Sequence, residues 1–294
     1  MGMDLTNHAG FFLEYYEDEV DLDLEVNPSK RLLKDLKDVL YDQEWFSRLS
    51  EAELEKPLYF MFRDIARPGT KGSFNSRNVR VDITIIPARS LGSEPVKTLG
   101  HFHPLSEIGK PYPEIYQVLW GKAVFLEFAP HIKDEVQDFR KIEQVNIWEL
   151  KTDNFVVLEA GGHVTFNPSK TRPLILLNLV YSKFKSIYDP IIQMKGAPYY
   201  YISADGELKF VKNSNYSKIP EIKKPALPET FGPLRQGRPI YKSFLEDPKF
   251  FSIMVGQPEK KEEKKPKKGD ASVGGPEPVA QTPEVQESET PEAQ

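Results

Sequence analysis

Between Leu58 and Ser182 the chain breaks repeatedly into short apolar runs: LYFMFRDI, VRVDITIIP, VKTLGHF, IYQVLWG, KAVFLEF, FVVLEA, HVTFN and PLILLNLVYS. Turn-forming residues separate them, as at Pro68-Gly69, Trp120-Gly121-Lys122 and Gly161-Gly162. Runs of this kind, rich in β-branched and aromatic residues and bounded by Gly, Pro, Asn and Asp, read as strands. A parallel βαβ sheet needs about a dozen or more residues for each crossover, and the spacing here leaves little room for them. The expected fold class is therefore mainly β, a sandwich or a small barrel. YYYISADGELKFV adds a hairpin, with Asp205-Gly206 supplying the positive-φ turn.

The flanks read differently. In NPSKRLLKDLKDVLY, Asn27 is suited to cap a helix and Pro28 to enter its first turn. Leu32, Leu33, Leu36, Val39 and Leu40 give that helix one apolar stripe. A shorter helical stretch is expected near Trp45 and Phe46. From Pro220 to Pro239 the chain is proline-rich, which suits an extended strap, and YKSFLEDPKFFSIM suits one more short helix. From Gly256 to Gln294 there is no aromatic residue, no Leu and no Ile. Such a segment cannot bury enough apolar area to offset ordering entropy of roughly 1–2 kcal/mol per residue, and it reads as disordered. The expected organisation is an N-terminal segment over 1–56 with its helix packed on the barrel, the barrel over 57–219, strap and short helix over 220–255, and the tail over 256–294.

Composition removes several function classes. The formal net charge of −5 offers no basic footprint for nucleic acid. The absence of cysteine excludes disulfides, thiolate metal sites and a cysteine nucleophile. The acidic start MGMDLTNHAGFF lacks the basic and apolar regions of a secretory signal. No run approaches the roughly 18 apolar residues of a membrane span. A cytoplasmic location is the expectation.

The chain has five histidines, and two of them are His101 and His103. On a strand, i and i+2 point to the same face, so this pair aims two imidazoles at one point. Glu114 begins the next run after a proline-rich loop, and His163 opens HVTFN just after Gly161-Gly162. Three neutral imidazoles and one carboxylate suit a divalent first-row metal such as Fe²⁺, Mn²⁺, Ni²⁺ or Zn²⁺. His131 sits in APHIKDE, which reads as a solvated polar loop, and His8 reads as inert.

These residues also carry a resemblance. G-H-x-H-P, then E-x-Y, then a second motif ending in G-H-x-x-x-N is similar to the two-part signature of cupins. More narrowly, T-x-G-H-F-H-P followed by P-E-I-Y-Q-V-L-x-G resembles the archaeal-type, cupin glucose-6-phosphate isomerases. The resemblance covers about residues 50 to 250 and is most specific over Thr98–Gly121. It implies a cupin β-barrel or jelly roll with an N-terminal helix and a C-terminal extension, a homodimer, and one divalent metal per subunit, Fe²⁺ first among the candidates. It implies His101, His103, Glu114 and His163 as metal ligands and Glu114 and Tyr116 as catalytic residues. Tyr59, Thr84, Thr98, Gly100, Tyr181 and Tyr188 would hold the phosphate and the sugar. The implied reaction interconverts glucose 6-phosphate and fructose 6-phosphate, through a cis-enediol or a hydride shift. Related readings are an isomerase of mannose 6-phosphate, or a metal cupin of another kind, an oxygenase or a sugar-binding module. One departure stands out. Some members carry G-H-D-Y after the last core strand, with the His on the phosphate. Here the stretch is SKFKSIYDP, with Ser186 near that position and Lys183 and Lys185 as alternative sources of positive charge.

Overall fold

Strict alternation along VRVDITII decides how the protein is layered. In the computed structural model, which describes residues 2–256 apart from 18 and 23, this run is a strand whose two faces do different work. Val79, Val81, Ile83 and Ile85 point into one apolar cluster, while Arg80, Asp82 and Thr84 point to the other side. The expected tail over 256–294 lies outside the described residues except for Gly256. The described residues belong to one unit, Met1–Glu259.

The strands that build the site are β1 (Ser29–Leu32), β2 (Pro57–Phe62), β3 (Val79–Ile86), β4 (Ser90–Leu91), β5 (Glu94–Lys97), β6 (His101–Phe102), β7 (Glu114–Trp120), β8 (Lys122–Lys133), β9 (Val136–Lys151), β10 (Phe155–Leu158), β11 (Gly162–Asn167) and β12 (Leu174–Tyr181). They form two antiparallel sheets. One has the order β10-β7-β12-β3-β2-β1; the other runs β9-β8-β11-β5-β4, with β6 also paired to β11. Side chains from both sheets, among them Val118, Leu176, Phe125 and Phe166, share one apolar cluster. The fold is mainly β, as expected, and it is a jelly-roll sandwich. It is not a closed barrel, because among the described residues no ladder joins the two sheets at their edges. One edge strand, β9, makes single bridges to Lys218, just before the strap, and to Lys223 within it, at Lys141↔Lys218 and Asn146↔Lys223.

The first sheet is buried on both faces. Its outer side chains, including Ile115, Leu119, Ile175, Leu177 and Leu179, pack with Leu5, Phe11 and Leu13 from the start of the chain and with Tyr241, Phe244, Phe251 and Met254 from residues 240–256. This double burial explains why PLILLNLVYS is almost continuously apolar. Gln117 is the polar exception on that outer face. Its Nε2 donates to His8 O at 3.1 Å, and its Oε1 accepts from Ile240 N at 2.9 Å.

Three expectations need correction. The helix expected to start at Asn27 does not form there. Residues 29–32 are strand β1, paired with β2, and a 3₁₀ helix follows at Leu33–Val39. The Asp35 carboxylate accepts from Leu32 N at 2.9 Å and so sets the start. The buried Leu33, Leu36 and Val39 recur every third residue, the 3₁₀ period. The helix near Trp45 does form, at Gln43–Ser47. His131 is not in a loop. It lies on β8, which runs on past Phe128 into a long hairpin with β9, and its Nδ1 is 3.1 Å from Glu143 Oε1. The turn is Asp134-Glu135, both at positive φ, and without a glycine it gave no signal. Finally, YKSFLEDPKFFSIM makes two short helices, Ile240–Glu246 and a 3₁₀ turn at Phe250–Val255, separated at Asp247-Pro248. The hairpin at Asp205-Gly206 forms as expected, with both residues at positive φ. Among the described residues no helix is long and apolar enough to cross a membrane.

Candidate metal centre and its cavity

The centre is assembled across the sandwich. β6 pairs with β11 so that His101 lies directly opposite His163. His103 follows two residues later, its ring stacked on that of His101 at 5.0 Å. Glu114 comes from the facing sheet, at the first residue of β7. The ligand atoms of His101, His103, Glu114 and His163 all lie within 4.8 Å of one another. Glu114 Oε2 is 3.5 Å from His103 Nε2 and 3.9 Å from Nε2 of both His101 and His163.

Hydrogen bonds behind the centre fix the orientation of these groups. His103 Nδ1 donates to Tyr112 O at 2.6 Å, which leaves the Nε2 lone pair facing inward. Asn178 Nδ2 donates to Glu114 Oε1 at 2.7 Å and leaves Oε2 free. The Tyr116 hydroxyl is 3.2 Å from His163 Nε2. His101 Nε2, His103 Nε2 and Glu114 Oε2 are buried and have no hydrogen-bond partner among the described residues.

Burial dominates the protonation of the cluster. It lowers His103 to about 4 and drives His101 and His163 well below their ordinary range, so all three rings are neutral near pH 7. Burial lifts the Glu114 carboxyl to about 8 and raises the Tyr116 phenol well above its usual value. Unpartnered buried acceptors are costly. Lone pairs of neutral imidazoles converging on a carboxylate oxygen have one economical partner, a cation. The donor set therefore fits a metal, and this cluster could bind one.

The centre opens on a cavity of about 350 Å³. Of the residues singled out from the sequence, Tyr59, Thr84, Thr98, Gly100, His101, Glu114, Tyr116, His163 and Tyr188 line it. His103 completes the ligand set from behind the wall. Tyr181 lies apart from the lining and stacks on Tyr112 at 4.6 Å. Thr98 is tied to β11: its N–H donates to Thr165 O at 2.9 Å, and its Oγ1 accepts from Thr165 N at 3.0 Å. Its hydroxyl proton remains free for a ligand. Gly100 has φ +81°, and a Cβ there would overlap the Val164 side chain, so close packing against β11 already requires a glycine. Tyr59 accepts from Leu99 N at 3.3 Å.

Several lining residues had escaped notice in the sequence: Met61, Arg63, Arg80, Asp82, Asn178 and Phe184. The signal for two of them was available, because Arg80 and Asp82 alternate with Thr84 along β3. Of the two candidate lysines, Lys185 lines the cavity, together with Ser186. Four larger hollows, of about 680, 770, 660 and 410 Å³, lie elsewhere and contain no histidine. The first holds the buried Glu127, whose carboxylate is fully engaged by Asn146, Trp148 and the N–H groups of Glu159 and Ala160. Among the described residues, the unpartnered buried side-chain atoms belong to the histidine centre, apart from Arg31 Nε.

Comparison with known proteins gives one family. The sequence model described as glucose-6-phosphate isomerase (GPI) matches residues 30–219. No curated protein matches the chain. Among solved structures, vicilin from Solanum melongena is similar at 14% identity and TM-score 0.31, over 48% of this chain and 33% of that one. Oxalate oxidase is similar at 16% identity and TM-score 0.31, over 47% of this chain and 58% of that one. Bacillus subtilis oxalate decarboxylase is similar at 15% identity and TM-score 0.29, over 45% of this chain and 29% of that one. The chain thus spans between about a third and three fifths of these proteins.

Proposed function

The chain belongs to the glucose-6-phosphate isomerase family, and from that premise we propose that it interconverts glucose 6-phosphate and fructose 6-phosphate at the His101–His103–Glu114–His163 centre. The observation that carries the reading is the unpartnered buried donor set opening on a cavity lined by Thr84, Thr98 and Gly100. Its volume of about 350 Å³ is within the usual range for small-molecule sites, roughly 300–1,000 Å³. His101, His103, His163 and Glu114 would hold a divalent metal, Fe²⁺ foremost with Mn²⁺, Ni²⁺ or Zn²⁺ fitting the same donors, and bound there it supplies Lewis-acid polarisation of the sugar's carbonyl and hydroxyl oxygens.

The chain's own groups divide the remaining work. Two carboxylates line the cavity. Asp82 has both oxygens engaged by arginine, whereas Glu114 keeps Oε2 free and aimed inward. In the enediol route Glu114 is therefore the group that takes the proton from C2 and returns it at C1. Asn178 donates to its other oxygen, so Oε2 is the atom that would hold the metal and that acts as base only when released from it. Tyr116 keeps its proton across the neutral range and serves as a neutral donor to an oxygen on the reacting carbons. Thr84, Thr98, Gly100, Tyr59 and Tyr188 position the phosphate and the sugar. A homodimer in the cytoplasm is part of the same proposal and rests on the family resemblance; light scattering on the purified chain tests the assembly.

A coupled assay with fructose 6-phosphate in and glucose 6-phosphate out tests the function. Mannose 6-phosphate in parallel tests the choice of epimer. Turnover of fructose 6-phosphate to the glucose product supports the reading, and no turnover by protein carrying its full complement of metal contradicts it.

A further inference from the structure

The phosphate contacts implied by the family resemblance are neutral donors: hydroxyls of threonine and tyrosine, and the Gly100 N–H. The histidine that some members bring to the phosphate is absent here, with Ser186 near its position. A phosphomonoester nevertheless carries about −1.5 to −2 charge near pH 7, and a desolvated anion needs countercharge. Besides Lys185, the cavity wall contains a second source of it.

Asp82 is 3% exposed, and its carboxylate is saturated by donors. Arg80 Nε reaches both oxygens at 2.8 and 3.0 Å, and Arg80 Nη2 reaches Oδ2 at 2.8 Å. Arg63 Nη1 approaches Oδ2 at 3.3 Å, and Asp64 N donates to Oδ1 at 3.0 Å. Two guanidinium groups on one carboxylate leave a surplus positive charge in the wall. Its position is specific. Met61 pairs with Thr84 across β2 and β3, and Arg63 Nη2 also contacts Met61 Sδ at 3.2 Å. The Arg63 guanidinium therefore lies between Asp82 and the residue opposite Thr84. The arginines are not sealed in: their side chains are 44% and 21% exposed for Arg63 and Arg80, and both line the cavity. A staple between β2 and β3 would need one arginine on Asp82. Two, both facing the cavity, suit an anion site in which guanidinium groups are held in a fixed orientation.

The geometry points to Arg63 and Arg80, oriented by Asp82, as the cationic wall that receives the substrate's phosphoryl group in place of the histidine that some members carry. This deepens the isomerase proposal and rests on it for the identity of the substrate. Arg63 and Arg80 are binding residues, and Asp82 is a positioning residue.

The test uses the full-length protein with its metal. Calorimetric titration with inorganic phosphate and with fructose 6-phosphate is combined with steady-state kinetics. Arg63→Met and Arg80→Met are each expected to weaken both ligands by about tenfold to a hundredfold, the usual worth of a charge-assisted contact. KM should rise far more than kcat falls. Arg63→Lys, which keeps the charge, should lie closer to wild type than Arg63→Met. Asp82→Asn should raise KM with metal content unchanged, a pattern that a mere strand staple does not produce. If Arg80→Met fails to fold, the half-exposed Arg63 carries the test. Wild-type affinity for phosphate and fructose 6-phosphate in folded Arg63→Met and Arg80→Met overturns the inference while leaving the isomerase reading intact. A wild-type protein that binds phosphate through these arginines but does not isomerise overturns the isomerase reading instead and leaves the wall standing.

Discussion

Glu114 and the three histidines respond to pH in opposite directions, and the metal-free protein should show it. The carboxyl of Glu114 is raised from 4.5 to about 8, so between those values the folded protein binds the proton and the unfolded chain does not. Its contribution to stability is present at low pH and is lost as pH rises towards 8. The histidines are lowered from 6.5, His103 to about 4, so the unfolded chain binds more protons below 6.5. Their contribution is lost as pH falls through that window. After chelation, the melting temperature should therefore rise between about pH 4 and 6.5, where three rings outweigh one carboxyl, and fall between about 6.5 and 8. Glu114→Gln should flatten the upper limb. An upper limb unchanged by that substitution would contradict the burial argument. Thr84 and Thr98 make separable predictions. Thr84→Val should raise KM for fructose 6-phosphate about tenfold with little change in stability. Thr98→Val also strands the Thr165 N–H, so it should raise KM and lower the melting temperature by roughly 2–4 °C per kcal/mol lost. His131→Ala should leave KM and metal content unchanged. The ligand set was legible because His-x-His on a strand has only one geometric meaning, and the third His and the Glu also sit at strand starts. Arg63 and Asn178 were not legible, because no single-residue pattern says that a polar side chain in an apolar strand faces a cavity.

At the scale of elements, most of the strand succession was read correctly because most runs are bounded by strong turn residues. VKTLGHF, expected as one strand, is instead split into β5 and β6 at Thr98–Gly100, where Gly100 has φ +81°. Where the signal was two-sided it failed. Leu33, Leu36 and Val39 fit an α-helix stripe and a 3₁₀ stripe equally, and pairing of Ser29–Leu32 with Pro57–Phe62 decided between them. β9 was missed because VQDFRKIEQVNIWELK is largely polar: one of its faces is solvated, and a bulge at Ala129–Pro130 interrupts the hairpin register. Behind β7, which carries Glu114 and Tyr116 on its inner face, Gln117 joins both terminal segments to the outer face. Gln117→Leu leaves His8 O and Ile240 N without their side-chain partner, a loss of about 1–3 kcal/mol for each buried group. The melting temperature should fall by several degrees, about 2–4 °C per kcal/mol, while KM stays at its wild-type value. A change in KM without loss of stability would show that the strand's back face tunes the site directly.

At the scale of the whole molecule, residues outside the span 30–219 seal the outer face of the sheet that carries Glu114. The apolar cluster there needs Leu5, Phe11 and Leu13 from one end and Phe244, Phe251 and Met254 from the other. Removing residues 2–22 should expose that face and cause aggregation, visible by light scattering. Removing 257–294 should leave melting temperature and turnover unchanged, since that stretch contains no aromatic residue, Leu or Ile. The central claim is that the His101–His103–Glu114–His163 centre holds the metal on which isomerisation depends. Its most direct test follows metal content and the conversion of fructose 6-phosphate to glucose 6-phosphate in the same samples, through chelation and return of Fe²⁺. The account predicts that activity falls and returns in proportion to bound metal, saturating at one metal per chain. Full activity in protein shown by elemental analysis to be free of metal would contradict it.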